Sequence, residues 1–183
     1  MSGLFRIHRS VDIHFAHHIR GHEGACINLH GHTWKFEVGV EARALDEQGF
    51  VVDFSRIKAE ILEPCHRLLD HALAIGEATY AEVEADLASL GEKLLSSRAG
   101  LPTERGAERV ELELSGARTA YPGGMKVTVF PFSPTSERLA EWLFHHATSV
   151  LDDARVRVAY ARIYETLHPV ESVAEYSRAL SAS

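Results

Sequence analysis

Cysteine is scarce in this sequence, with Cys26 and Cys65 the two examples in 183 residues. Two thiols are too few for a disulfide framework or a four-thiolate zinc site, so each has to be considered as a nucleophile in its own right. Positive charge is also short. Nineteen Lys and Arg face 26 Asp and Glu, a formal net charge of −7, which argues against nucleic acid or an anionic membrane as the main partner, although a local basic pocket is still allowed. The opening MSGLFRIHRSVDIHF lacks the apolar core of a secretory signal, and no run is long enough to span a bilayer, so a cytoplasmic protein is expected. Internal repeats and low-complexity runs are missing too. With 45% hydrophobic and 25% charged residues, the expectation is one globular domain over residues 1–183.

What is present is a period-two pattern. From Val11 to Ile19 the residues Ile13, Phe15, His17 and Ile19 alternate with Asp12, His14, Ala16 and His18, which predicts a half-buried strand. After a polar connection over 20–28, His30, His32, Trp34, Phe36, Val38 and Val40 share one face of a longer second strand. The stretch SRIKAEILEPCHRLLDHAL then carries Ile57, Ile61, Cys65 and Leu68 at helical spacing, with Ser55 placed to cap its start and Pro64 predicting a kink or an early end. A second helix is predicted from Pro134, Thr135 and Ser136 onward through Leu139, Trp142, Leu143 and His146. RVRVAYARIYET and ESVAEYSRA read as closing strands about an LHPV turn. Between the helices, residues 76–132 read as an insertion: an amphipathic helix, a loop rich in Gly, Pro and charge, and short strands in RVELEL and GMKVTVFPF.

Histidine is abundant where cysteine is not, with six between His14 and His32. His30 and His32 are two apart and therefore point to one side of their strand, the side of Trp34 and Phe36, and His17 shares the apolar face of the first strand. If those strands pair, three imidazoles converge. Three neutral imidazoles and an open position form a donor set suited to catalytic zinc; the bland alternative is a strand that tolerates histidine. His14 and His18 have the opposite parity and are expected at the surface, and His22 lies in the loop. Surface or packing roles are the default for His8, His66, His145, His146 and His168.

Cys26 falls in the connection between the two histidine-bearing strands, and three readings stay open for it: metal ligand, base or nucleophile, or no role. Thiolate chemistry would need a proton-sharing partner, and Asp70 followed by His71 at the end of the first helix offers one. Cys65 lies on the apolar stripe and is read as a small core residue.

Taken together, His17 after FA, the pattern CINLHGH, VVDFSRIK, LDH, PTSE and RIYET occur in the order that resembles the 6-pyruvoyl-tetrahydropterin and 6-carboxy-tetrahydropterin synthase family, over most of the chain outside the insertion. The resemblance implies an α+β tunnelling fold (T-fold), an antiparallel four-stranded sheet in the order ββααββ with two helices on one face. It also implies a homohexamer built from two trimers, with active sites at subunit interfaces. Carried onto these residues, His17, His30 and His32 would hold Zn2+. Cys26, Asp70 and His71 would move protons, Glu165 would grip the pterin ring, and Thr135 and Ser136 would lie near it. The three residues between Cys26 and His30 look like the bacterial carboxy-forming branch, which feeds queuosine and 7-deazapurine biosynthesis. Two departures bear on substrate choice: DHALAIGE runs apolar where the family has polar residues, and the insertion is absent from compact members.

The expected activity is a lyase acting on dihydroneopterin triphosphate, with zinc as Lewis acid toward the side-chain oxygens and loss of triphosphate and acetaldehyde. Its rivals are pyruvoyl-forming synthesis or another pterin side-chain lyase and, from another class, a zinc-binding scaffold without chemistry. A surface glutamate at a strand end is the bland alternative for Glu165.

Overall fold

A computed structural model describes residues 3–96, 109–168 and 171–178. The elements run β1 (Phe5–His17), β2 (His30–Ala42), α1 (Phe54–Ile57), a π-helical segment (Lys58–Leu62), α2 (Glu63–Leu69), β3 (Leu73–Gly76), α3 (Glu77–Ser96), β4 (Glu113–Leu114), β5 (Ala117–Ala120), β6 (Val127–Phe130), α4 (Ser136–Leu151), β7 (Val156–Thr166) and β8 (Ser172–Ser177). The α+β class and the order of two strands, helices and two strands around an insertion match expectation. Most of the Gly, Pro and charge-rich loop, the end of the LHPV turn and the last residue of the final expected strand lie outside the described residues. Among the described residues no helix is long and apolar enough to cross a membrane.

The chain forms two compact units, residues 1–14, 32–67 and 135–183 in one and 15–31 and 68–134 in the other. In the first, the strand order is β1, β2, β7, β8. The antiparallel β2 and β7 place Phe36 opposite Ile163 and Val38 opposite Ala161, and these four, with Trp34 and Val40, are fully buried or nearly so. Alternation accounts for the arrangement, since every second residue of β2 from Trp34 to Val40 is apolar and turns inward. Helix α4 packs on β7 and β8 and buries Leu139, Leu143 and Ala147. Burial of each large aliphatic side chain contributes about 1.5–3 kcal/mol. On the other face of β2, Gly39 lies under the ring of Tyr160, where a Cβ would sit 2.2 Å from a ring carbon.

β1 starts at Phe5 rather than Val11 and stops at His17 rather than Ile19. The parity holds, with Ile13, Phe15 and His17 buried. Asp53, not Ser55, caps the first helix. Its carboxylate accepts from the Ser55 backbone N–H at 2.7 Å, and that bond followed by the Ser55 side chain holds the carboxyl below its usual range. Pro64 sits just past a widened turn in which the Glu63 N–H reaches back to the Lys58 carbonyl. Proline offers no N–H to the carbonyl four residues earlier, that of Glu60, and the buried ring of His146 bonds to that carbonyl instead. Burial outweighs this bond and pushes the imidazole below its ordinary value.

The second unit has the order β4, β5, β6, β3, β1. β3 runs parallel to both β1 and β6, and α3 covers them through a core of Ile75, Tyr80, Leu87, Val127 and Val129. β3 and β5 were not expected from the sequence as strands. LAIG looks like an apolar tail to the helix, and ARTA has no alternating apolar face.

Two stability experiments test this packing. Gly39→Ala is expected to cost about 1–3 kcal/mol in urea unfolding through overpacking against Tyr160, and an unchanged midpoint would show that the ring moves freely. For His146 the folded state holds the proton less tightly than the unfolded chain, so the unfolded chain binds more protons. Its contribution is therefore present above the ordinary value of 6.5 and lost as pH falls below it. In metal-free protein, His146→Gln should flatten the fall of Tm between neutral and mildly acidic pH, whereas a slope equal to wild type would refute the assignment.

Candidate metal centre and active site

β1 brings His17 to its last position, where His17 pairs with Ala74 of β3 and the neighbouring Ala16 N–H donates to the Ala72 carbonyl at 3.0 Å. The chain then turns through a single 3-10 turn, Ala25–Ile27, and enters β2 at His30. The Cys26 carbonyl accepts from the Ile19 N–H at 3.1 Å and so closes the base of this loop. Gly31 follows His30 and packs against β1, where a Cβ would lie 3.3 Å from the Phe15 carbonyl oxygen.

Within this arrangement His17, buried to 1% exposure, offers Nδ1 to the Pro134 carbonyl at 3.1 Å. His30 offers Nδ1 to the Asn28 carbonyl at 2.9 Å. A carbonyl can only accept, so the proton of each ring is on Nδ1 and each Nε2 carries a lone pair. Those two Nε2 atoms are 3.1 Å apart. Two lone pairs held face to face at that distance repel unless a cation or a proton lies between them. The Cys26 thiol belongs to the same group, with its sulfur and the two imidazole nitrogens within 4.8 Å of one another. Two neutral imidazoles with fixed tautomers and a thiol beside them fit a transition metal of intermediate softness, and backbone carbonyls behind both rings are the outer-shell support such ligands need.

Of the other expected site residues, His32 has its Nε2 3.6 Å from Oε1 of Glu165 and stands edge-on to the Trp34 ring. The pleat of β2 turns it to the same side of the strand as His30. Glu165, near the end of β7, accepts on its other oxygen from Ser136 Oγ at 2.8 Å. Thr135 is the N-cap of α4, with its hydroxyl accepting from the Arg138 N–H. Asp70 and His71 form a separate pair. His71 Nδ1 donates to Asp70 Oδ2 at 2.8 Å, with the His71 side chain 80% exposed. His71 has φ +58°, a left-handed conformation in which histidine is more common than most residues. Cys65 is fully buried, and that burial pushes its thiol far up, in keeping with a core role. His18, expected at the surface, is half-buried with Nδ1 shielded from solvent. The carbonyls of Pro134 and Asn28, which fix both tautomers, carry no sequence signal because every residue has a carbonyl.

Comparison with known proteins gives a consistent result. A family model described as 6-pyruvoyl tetrahydropterin synthase matches residues 6–178. A Haemophilus influenzae protein named 6-carboxy-5,6,7,8-tetrahydropterin synthase is 32% identical over 110 residues, covering 58% of this chain and 77% of the relative. Among solved structures, an uncharacterized protein of Wolinella succinogenes superposes with TM-score 0.64 at 23% identity, covering 97% of this chain and 100% of its own. The 6-pyruvoyl tetrahydropterin synthase of Caenorhabditis elegans does so with TM-score 0.55 at 15% identity over 97% of each chain. The fold is that of these proteins, the T-fold.

Substitution of the paired imidazoles tests the centre directly. His17→Ala and His30→Ala are each expected to lower metal affinity by on the order of tenfold or more, read by elemental analysis after dialysis against a weak chelator. Full metal retention in both variants would remove the site.

Proposed function

The chain belongs to the 6-pyruvoyl tetrahydropterin synthase family, and from that premise we propose that it is a zinc-dependent lyase of the carboxy-forming branch. It would convert 7,8-dihydroneopterin triphosphate and water to 6-carboxy-5,6,7,8-tetrahydropterin, triphosphate and acetaldehyde, as a step toward queuosine and related 7-deazapurines in the cytoplasm. The observation that carries this reading is the pair of imidazoles with both Nδ1 protons committed to carbonyls and Cys26 beside them. The choice of branch rests on the spacing of Cys26 to His30 and on the name of the Haemophilus relative.

Under this proposal His17, His30 and His32 hold the zinc. The ion would supply Lewis acidity toward the oxygens of the substrate side chain and so make the adjacent C–H protons easier to remove. Cys26, next to His17 and His30, moves a proton as the thiolate. His71 serves a second transfer. Its Nδ1 proton is directed to Asp70, so Nε2 is the basic nitrogen, facing outward on an exposed side chain.

Glu165 orients the ring, since its carboxylate can accept paired hydrogen bonds from the amino and ring N–H groups of a pterin. Ser136 steadies one oxygen of that carboxylate, while Thr135, as the cap of α4, fixes the backbone on which Ser136 stands. Assembly as a homohexamer of two trimers, with sites completed at subunit interfaces, is part of the same proposal. The domain assignment over 1–183, with the insertion at about 76–132, belongs to the same proposal.

The test is to incubate zinc-loaded protein with dihydroneopterin triphosphate and to follow product mass together with acetaldehyde. A carboxy product with acetaldehyde is expected, whereas a product that retains all side-chain carbons would place the protein in the pyruvoyl-forming branch. Cys26→Ala should keep zinc and lose turnover by about 10²-fold or more. An absence of turnover in the wild type as well would leave the zinc-binding scaffold.

A further inference from the structure

The carboxyl end of α2 is where the insertion meets the Asp70–His71 pair. A helix leaves its last carbonyls without partners inside the helix, and here β6 and the residue before it supply them. Thr128 Oγ1 donates to the Leu68 carbonyl at 2.8 Å, and Lys126 Nζ donates to the Asp70 carbonyl at 2.7 Å. The backbone repeats the tie, with Leu73 N–H donating to the Lys126 carbonyl at 3.1 Å and β3 pairing with β6 from Leu73↔Val127 to Gly76↔Phe130. Between these anchors the chain makes one tight turn, with the Ala72 N–H on the Leu69 carbonyl at 2.9 Å and His71 at positive φ. Asp70 and His71 are thus held on both sides by insertion residues.

We propose that Lys126 is a positioning residue for the Asp70–His71 pair, a part taken by the insertion. The ammonium fixes the Asp70 main chain and adds positive charge at a helix C-terminus, where the dipole favours a cation. Its charge also acts on the Asp70 carboxylate. That carboxylate is in turn the group that accepts the His71 Nδ1 proton and sets the ring's tautomer and direction. Half-burial makes the effect larger than for a surface lysine, because solvent screens the charge less, and it also draws the ammonium below its ordinary value. Thr128 provides an internal comparison, since it braces the same helix end without a charge, at the Leu68 carbonyl rather than at the dyad itself.

This inference rests on the proposed role of Asp70 and His71, so the experiment has an arm that does not use activity. Ring nitrogen shifts of 15N-histidine-labelled protein report which nitrogen of His71 carries the proton, with His71→Asn used to assign the signal. In Lys126→Met the Nδ1–H form of His71 should give way to a mixture of tautomers, while bound metal stays at the wild-type level. Lys126→Arg should restore the single form, and Thr128→Val should lower Tm yet leave the His71 signal unchanged. In turnover, Lys126→Met is expected to lower kcat by about tenfold to a hundredfold, the scale of a small misplacement of a reacting group, with KM nearly unchanged and Lys126→Arg partly rescued.

An unaltered His71 signal in Lys126→Met would overturn the proposal whatever happens to the rate. So would a loss that Thr128→Val reproduces, since that marks a general weakening of the helix end. If the wild type forms no product from the pterin triphosphate, the functional reading falls alone, and the tautomer measurement still decides the role of Lys126.

Discussion

Two imidazoles that have both committed their Nδ1 proton to the main chain, and whose remaining lone pairs meet at 3.1 Å, are the constraint around which this protein is arranged. Each carbonyl comes from a different stretch: Pro134, just before α4, and Asn28, at the end of the 3-10 turn. Gly31 sits against the Phe15 carbonyl, where a Cβ would make a tight contact at 3.3 Å. An ordinary core would relieve the repulsion by rotating one ring, but His17 is fully enclosed and rotation would leave a buried carbonyl without its donor. The arrangement is stable when a cation accepts both lone pairs. The function proposed above would give that cation a chemical task.

The insertion is structurally continuous with the elements before it. β3 pairs with the end of β1 on one side and with β6 on the other, and α3 covers that parallel pair with its own apolar core. The segment after β3 thus joins the sheet that carries His17 and shares its polar side chains with the end of α2. Removing it would expose the edge of β3 that pairs with β6 and take away the donors to the Leu68 and Asp70 carbonyls.

Legibility in the sequence followed the range of the interaction. The period of two placed Ile13, Phe15 and His17 on one face and His30 and His32 on one side of β2, because side-chain direction in a strand is a local property. The start of α4 after Pro134 was legible because helix-opening residues are also a local signal. Asp53 was missed as the cap of α1 because Ser55 competes for the same role two residues on, and backbone angles decide between them. The π-helical segment followed from Pro64 only as a kink; that His146 meets the Glu60 carbonyl depends on a contact between residues far apart in the chain. Lys126 and Thr128 bind carbonyls, which no sequence distinguishes from any others. ARTA became a strand because β6 offered an edge to pair with, not through any preference of its own.

The left-handed backbone at His71 bears on how such a protein changes over generations. Asparagine enters that conformation at least as readily as histidine, and in the genetic code the two are one base apart. A single transversion would therefore keep the turn, the helix end and the sheet while deleting the imidazole. Under the role proposed for His71, a folded, catalytically silent descendant would be one mutational step away, whereas a β-branched residue at the same position would be selected against for its backbone alone.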